Sequence, residues 1–347
     1  MSVDRVVLAA PRGFCAGVEK AIKALDWMTR VFAPPVYCYH EIVHNQFVVD
    51  HFRSLGVTFV DDVAEVPPGA PVMLSAHGSA PSVIEAARRS GATVVDAVCP
   101  LVTKVHHELK VRARKGYTVL YVGHEGHEEA VGTMAVAPAS VHLVQTVEDL
   151  DALGAIQGPL ALLSQTTLSL DEWHDIRDDA AQRFPDIWMP NRSDLCFATT
   201  NRQAALRAIA GRADAVIVIG SANSSNTVAL TEVARAAGCE RVLRINGAHD
   251  LPDDLTGTVA VTAGASAPES IVNDVLDVLD PRDGVEVHAE TVEDEYFPPP
   301  PELREILRTL VALVDLITLT PTTSGFDGEV DRAFTAAQVL LTSTRRR

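Results

Sequence analysis

Three times along this chain a short apolar run ends in a cysteine and a helical pattern takes over, and few architectures accommodate such a repeat. The runs are 6–10, which passes through Pro11, Arg12, Gly13 and Phe14 to Cys15; 93–98, which ends at Cys99; and 187–189, which passes through Pro190 and Asp194 to Cys196. About 28 residues after each cysteine stands a second polar tip: His44, His127 and Ser224. A third apolar run then ends in another tip in every segment. These runs are 72–74 before Ser75 and His77, 160–163 before Ser164 and Thr166, and 259–261 before Thr262 and Ser266.

Short unbroken apolar runs separated by helical stretches are the pattern of parallel strands covered on both faces. The expected fold class is therefore α/β, with three similar small parallel-sheet modules. Helices are expected over 83–89, 101–113, 203–210 and 228–237, with Pro81 and Pro268 in first turns. Parallel sheets collect ligands at the carboxyl ends of their strands, and each tip is expected just after a strand. A pseudo-threefold arrangement would aim nine tips at one central point. The expected modules are 16–99, 100–193 and 194–285, with 1–15 returning to the third and 286–347 forming a C-terminal tail.

Composition narrows the partners. Lys and Arg number 29 against 46 Asp and Glu, a formal net charge of −17, which repels nucleic acid and anionic membranes at long range. An anionic ligand would need a locally organised site of helix amino-termini, hydroxyls and His. The run 6–10 is cut short at Pro11, Arg12 and Gly13, unlike a signal-peptide core, and the run 310–319 is brief and interrupted by Asp315. Five cysteines, at 15, 38, 99, 196 and 239, are an odd number spread over a long chain. That argues against a disulfide framework and for a reducing, cytoplasmic setting.

Three cysteines at equivalent tips match a [4Fe-4S] cluster bound by three thiolates, with one iron open to a substrate. Their wide spacing does not match the compact arrays of ferredoxins. Zinc is the alternative metal, but His124-Glu125-Gly126-His127 is one residue short of the metalloprotease pattern, and His106-His107-Glu108 is expected on an exposed helix surface. Cys38 and Cys239 are expected to be buried and structural.

His44, His77 and His127 are candidate donors to an anion, cationic near neutral pH if the anion stabilises them. Ser224, Ser225, Asn226 and Ser266 are small neutral donors suited to phosphate oxygens beside a helix start, and Thr166 and Thr167 read the same way; all of these are also good helix caps. Glu129, two residues after His127, is the carboxyl chosen as proton donor, since burial beside a cluster and an anion would raise its pKa. Glu125 and Glu128 compete for that role.

With these residues in view, the chain resembles the 4-hydroxy-3-methylbut-2-enyl diphosphate reductase (LytB) family. The resemblance rests on Pro11-Arg12-Gly13-Phe14-Cys15-Ala16-Gly17-Val18, Glu41-Ile42-Val43-His44-Asn45, Ser75-Ala76-His77-Gly78, Cys99-Pro100-Leu101-Val102-Thr103-Lys104, Gly123-His124-Glu125-Gly126-His127, Ser164-Gln165-Thr166-Thr167, Ala198-Thr199-Thr200-Asn201-Arg202-Gln203, Ser224-Ser225-Asn226 and Thr262-Ala263-Gly264-Ala265-Ser266. These run in order through roughly residues 4–304. Val98, Ser79 and Glu128 depart from the family's usual Thr, apolar residue and Pro.

The resemblance implies a three-module fold around a central [4Fe-4S] cluster on Cys15, Cys99 and Cys196. The implied reaction, the last step of the non-mevalonate (MEP) isoprenoid pathway, reduces an allylic alcohol diphosphate to isopentenyl and dimethylallyl diphosphates. His44, His77, His127, Ser224, Ser225, Asn226 and Ser266 would hold the diphosphate, with Thr167 among them, and Glu129 would deliver protons with Thr166 and His127 beside it. Two electrons and protonation remove the hydroxyl as water and leave an allyl anion open to a proton at either end. A small ferredoxin or flavodoxin would supply the electrons, since the chain carries no nicotinamide or flavin fingerprint. Two other classes stand beside this one: a quinolinate-synthase-like iron-sulfur lyase, against which the ordered His and Ser-Ser-Asn motifs speak, and a non-catalytic iron-sulfur sensor, which would have no need of tips filled for an anion. Beyond residue 304, residues 306–319 are expected to form a packing helix, followed by a polar segment and the basic end Arg345-Arg346-Arg347.

Overall fold

Among the described residues, every strand pairing in the computed structural model is parallel. The structure describes residues 1–154, 156–318 and 331–342. The strands form three sheets, so the fold is α/β with three parallel-sheet modules. One sheet has β2 (Val36–Tyr39), β3 (Val57–Val60), β4 (Pro71–Leu74) and β5 (Thr93–Asp96) in the order β3-β2-β4-β5. The next has β6 (Thr118–Val122), β7 (Val141–Val144) and β8 (Leu160–Ser164) in the order β7-β6-β8. The largest joins β1 (Ser2–Ala10) to β9 (Ala215–Ile219), β10 (Val242–Ile245), β11 (Thr256–Ala263) and β12 (Val285–Ala289) in the order β10-β9-β11-β1-β12.

The helices between them are α1 (Ala16–Val31), α2 (Gln46–Ser54), α3 (Pro81–Arg89), α4 (Pro100–Arg114), α5 (Glu128–Met134), α6 (Val147–Ala152), α7 (Leu170–Arg183), α8 (Phe197–Ala210), α9 (Ser225–Ala236), α10 (Glu269–Leu279), α11 (Pro301–Thr318) and α12 (Ala336–Thr342). The chain divides into two compact units, 1–15 with 101–294 and 16–100 with 295–347. None of the described helices is long and apolar enough to cross a membrane.

The unbroken apolar runs are explained by double burial. On β9, Ile217 and Ile219 face one core with Val6, Leu8, Val259 and Val261, closed by Val272 and Val275 of α10. The alternate residues Val216 and Val218 face a second core closed by Leu206 and Ile209 of α8 and by Leu230 and Val233 of α9. The β6–β8 sheet repeats the scheme. Leu120 and Leu162 pack on Trp173 and Ile176 of α7, while Val119 and Leu163 pack with Val105 and Leu109 of α4. Leu162 is fully buried. Leu162→Ala is therefore expected to cost about 2–5 kcal/mol of stability, read from denaturant midpoints of the two chains at equal slope.

Four expectations need correction. The run 187–189 is not a strand: Trp188 makes one isolated bridge, to Ala161, and Pro190, lacking an N–H, follows two residues later. Cys196 therefore does not follow a strand; it stands at the amino-terminus of α8, which begins at 197 rather than 203. His106 is not an exposed surface residue. It is largely buried, and burial pushes its pKa down to about 4, so it stays neutral. Finally, the helix expected over 306–319 runs from Pro301 to Thr318, and among the described residues its buried side chains lie in its first turns. Leu303 and Leu307 are buried while Leu313, Leu316 and Ile317 are exposed. Most of the expected polar segment, with Arg345, Arg346 and Arg347, lies outside the described residues. The last described stretch packs against α1: Asp331 pairs with Lys23 at 2.8 Å, and the Ala336 amide donates to Glu19 at 2.7 Å.

Candidate active site

In the unit formed by 1–15 and 101–294, the carboxyl ends of β1, β6, β8, β9 and β11 carry most of the expected tips. The loop to Cys15 is fixed by two amides, Gly13 to Ala263 O and Cys15 to Ala265 O, each at 3.2 Å. Gly13 has φ +68°, and a Cβ there would stand 3.1 Å from Ala267 O, so the turn into Cys15 requires glycine. Gly264 serves a close approach instead. A Cβ at that position would lie 2.2 Å from Thr227 Oγ1, so its absence lets the start of α9 sit against the end of β11.

Cys196 caps α8. Its Sγ accepts from the Thr199 amide at 3.3 Å and lies 3.0 Å from Thr199 Oγ1, while its own amide donates to Thr166 O at 3.0 Å. Burial pushes the Cys196 thiol up to about 11, and the nearby Cys15 adds to the rise. Cys15 and Cys196 are thiols, not a disulfide. Two neighbouring thiols, one of them already receiving an amide hydrogen bond, suit an iron-sulfur site: the metal displaces the protons, and N–H···S bonds stabilise the thiolate.

Glu129, on the first turn of α5, is 2% exposed. Its two oxygens accept from the Thr166 amide at 2.7 Å and the Thr166 hydroxyl at 2.9 Å. Burial pushes its pKa up to about 7; the Thr166 bonds oppose the rise and Asp194 adds to it. A carboxyl half-protonated near neutrality is suited to give and regain a proton. Glu125 is exposed and Glu128 partly so, which separates both from Glu129. Because both Thr166 bonds stabilise the anion, Thr166→Val is expected to move the Glu129 midpoint above about 7. The pH dependence of its protonated carboxyl stretch in infrared difference spectra measures that shift.

His127 caps α5, its Nδ1 accepting from the Glu129 amide at 3.2 Å. A ring that accepts at Nδ1 has Nε2 as its donor. Ser224 caps α9. Thr167 Oγ1 donates to Ser225 Oγ at 3.0 Å, and Gln165 Nε2 reaches both hydroxyls, at 2.9 and 3.1 Å. Asn226 Oδ1 accepts from the Ala265 amide at 3.0 Å, which ties the start of α9 to the loop carrying Ser266. Ser224, Ser225, Asn226 and Ser266 are all buried.

In the unit formed by 16–100 and 295–347, the tips after β2, β4 and β5 are tied by backbone bonds. The Ala76 amide donates to Ile42 O and the Cys99 amide to Ala76 O. The rings of His44 and His77 stack with centroids 3.9 Å apart, and His44 Nδ1 lies 3.3 Å from Glu41. Buried Lys20 donates to Val98 O at 2.7 Å. Burial lowers the Lys20 pKa, and Cys99 and Asp96 oppose that fall.

Sequence reasoning did not assign Gln165, Asp194, Lys104 or Arg202. Gln165 is fully buried and also accepts from the His124 amide at 3.1 Å, so one side chain joins three tips. Asp194 accepts from Lys104 at 3.1 Å and from the Ser164 amide at 3.3 Å, placing a buried charge near Glu129. A fully buried Gln or Arg gives no periodic signal; only its place inside a motif marks it. Cys38 and Cys239 are buried in the strand-and-helix cores, and Cys239 donates to Arg241 O at 3.5 Å.

Known proteins are similar to this chain. The family described as LytB protein matches residues 6–280. A 4-hydroxy-3-methylbut-2-enyl diphosphate reductase of Rhodopirellula baltica is 46% identical over 310 residues, covering 88% of this chain and 97% of its own. One from Nocardia farcinica is 45% identical over 313 residues, covering 88% of this chain and 93% of its own. Among solved structures, the E-1-hydroxy-2-methyl-but-2-enyl-4-diphosphate reductase of Plasmodium falciparum is similar with a TM-score of 0.86 at 31% identity, over 89% of this chain and 99% of that one. With the matched family spanning residues 6–280 and its motifs at the strand ends described above, this chain belongs to the LytB family of iron-sulfur oxidoreductases.

Proposed function

We propose that the chain reduces (E)-4-hydroxy-3-methylbut-2-enyl diphosphate to isopentenyl and dimethylallyl diphosphates, the terminal step of the non-mevalonate pathway. The observation that carries this reading is the buried Glu129–Thr166 pair, a carboxyl with a pKa of about 7 in the unit that also holds Cys15, Cys196 and the hydroxyl cradle. Cys15, Cys99 and Cys196 are the ligands of a [4Fe-4S] cluster. When bound, the cluster supplies two electrons, one at a time, and an iron open to the substrate hydroxyl.

The chain's own groups do the rest. Ser224, Ser225, Asn226, Ser266 and Thr167 receive diphosphate oxygens with His127, His44 and His77. Glu129 gives its proton toward the departing hydroxyl while Thr166 orients the carboxyl. Each turnover consumes one allylic alcohol, two electrons and two protons and yields one alkene and one water. The modules run 16–99, 100–193 and 194–285 with 1–15, followed by the tail. The electrons come from a small ferredoxin or flavodoxin, in the cytoplasm. Anaerobic turnover of the reconstituted protein with the diphosphate substrate and dithionite is expected to yield both isoprenoid diphosphates. A cluster-loaded chain that makes neither would overturn the proposal.

A further inference from the structure

Arg202 is fully buried, and its five N–H groups have little freedom. Nε and Nη2 grip Gly13 O at 3.1 and 2.8 Å, and Nη2 also reaches Phe14 O at 3.3 Å. Nη1 donates to Ala198 O at 2.9 Å and to both oxygens of Glu293, at 2.9 and 3.1 Å. One guanidinium therefore ties the turn that ends in Cys15 to the first turn of the helix that Cys196 caps. Glu293 is itself held. Asn201 Nδ2 donates to it at 3.0 Å, and the Glu290 amide extends the β1–β12 pairing to Ala10 O at 3.0 Å.

We infer that Arg202, locked by Glu293, is a positioning residue that sets the spacing of Cys15 and Cys196 for their cluster. This rests on the cluster reading above. Two thiolates that share one cluster must be held within a few tenths of an ångström, and the fork grips Gly13 and Phe14 just before Cys15 and Ala198 in the helix turn just after Cys196. Lysine cannot replace it, since a single ammonium has no planar fork with which to reach three carbonyls and a carboxylate. Glu293 neutralises a charge that would otherwise be buried alone. It lies on the segment after β12, past the residues 6–280 that the family model matches.

The test compares anaerobically reconstituted wild type with Glu293→Gln and Glu293→Asp at equal iron content. Glu293→Gln is expected to lose iron to a ferrous chelator roughly tenfold faster, since a charge-assisted bond is weakened, and to show a changed electron paramagnetic resonance spectrum of the reduced cluster, with Glu293→Asp restoring both in part. If Glu293→Gln does not fold, Asn201→Ala, which removes only the prop behind Glu293, is expected to give the same changes more weakly. Equal iron loss and identical spectra in folded variants would overturn the inference. A wild type that takes up no iron-sulfur cluster would overturn the underlying reading and this inference with it.

Discussion

Glu129→Gln is expected to slow product formation by about 10²- to 10⁴-fold while the cluster absorbance stays in place. The amide has the same shape and still accepts from the Thr166 amide, so the fold around α5 is kept, but it carries no proton to transfer. In the wild type the active form is the protonated carboxyl, so turnover is expected to fall as pH rises through about 7, and this limb should vanish from the residual activity of the variant. Stability offers an independent reading of the same group. Its folded pKa of about 7 stands above the ordinary 4.5, so the folded chain binds more protons between those values. The contribution of Glu129 to stability is therefore complete below about pH 4.5 and is lost as pH rises to about 7. Denaturant midpoints of the apo chain should show that slope in the wild type and lack it in Glu129→Gln.

Replacing Cys15, Cys99 or Cys196 singly by Ser is expected to reduce bound iron and acid-labile sulfide from near four per chain to a small fraction, with loss of all turnover. An alkoxide is a far harder ligand than a thiolate, and a cluster with only two protein thiolates has two irons to protect. Cys38→Ala and Cys239→Ala are the contrast. Both side chains are buried in the apolar core, so these variants are expected to load a full cluster at a modest cost in thermal stability. Iron and sulfide assays beside the visible absorbance distinguish the two groups.

The legible part of this fold was the part written in unbroken apolar runs. Segments such as 215–219 and 160–164 are buried on both faces, so every residue is apolar or small and the run stands out. Tips at strand ends followed directly, and with them Cys15, Cys99, His44, His77 and Thr166. The run before Cys196 misled because apolarity there reflects packing of Ile187 and Met189 beside α7 rather than a ladder. Apolar periodicity starts α8 and α9 late, at 203 and 228 rather than 197 and 225. Caps such as Cys196 and Ser224 are polar, and the residues after them are selected for a ligand rather than for helical periodicity. The polar positioning groups escaped for a different reason. Gln165, Asp194 and Arg202 are each defined by partners dozens of residues away, and spacing along the chain holds no record of those distances.

The placement of β1 bears on how the protein is made. That strand is synthesised before its partners β11 and β12, the last described strands. The residues of β1 must therefore wait, unpaired with β11, through the synthesis of roughly 250 more, and the turn leading to Cys15 cannot settle before Ala263 and Ala265 arrive to receive its amides. A nascent chain halted before β11 has Cys15 but no formed cradle for it. Metal insertion thus becomes one of the final events of biogenesis, and a ribosome-stalled chain ending near residue 250 should bind no cluster even when iron and sulfide are plentiful.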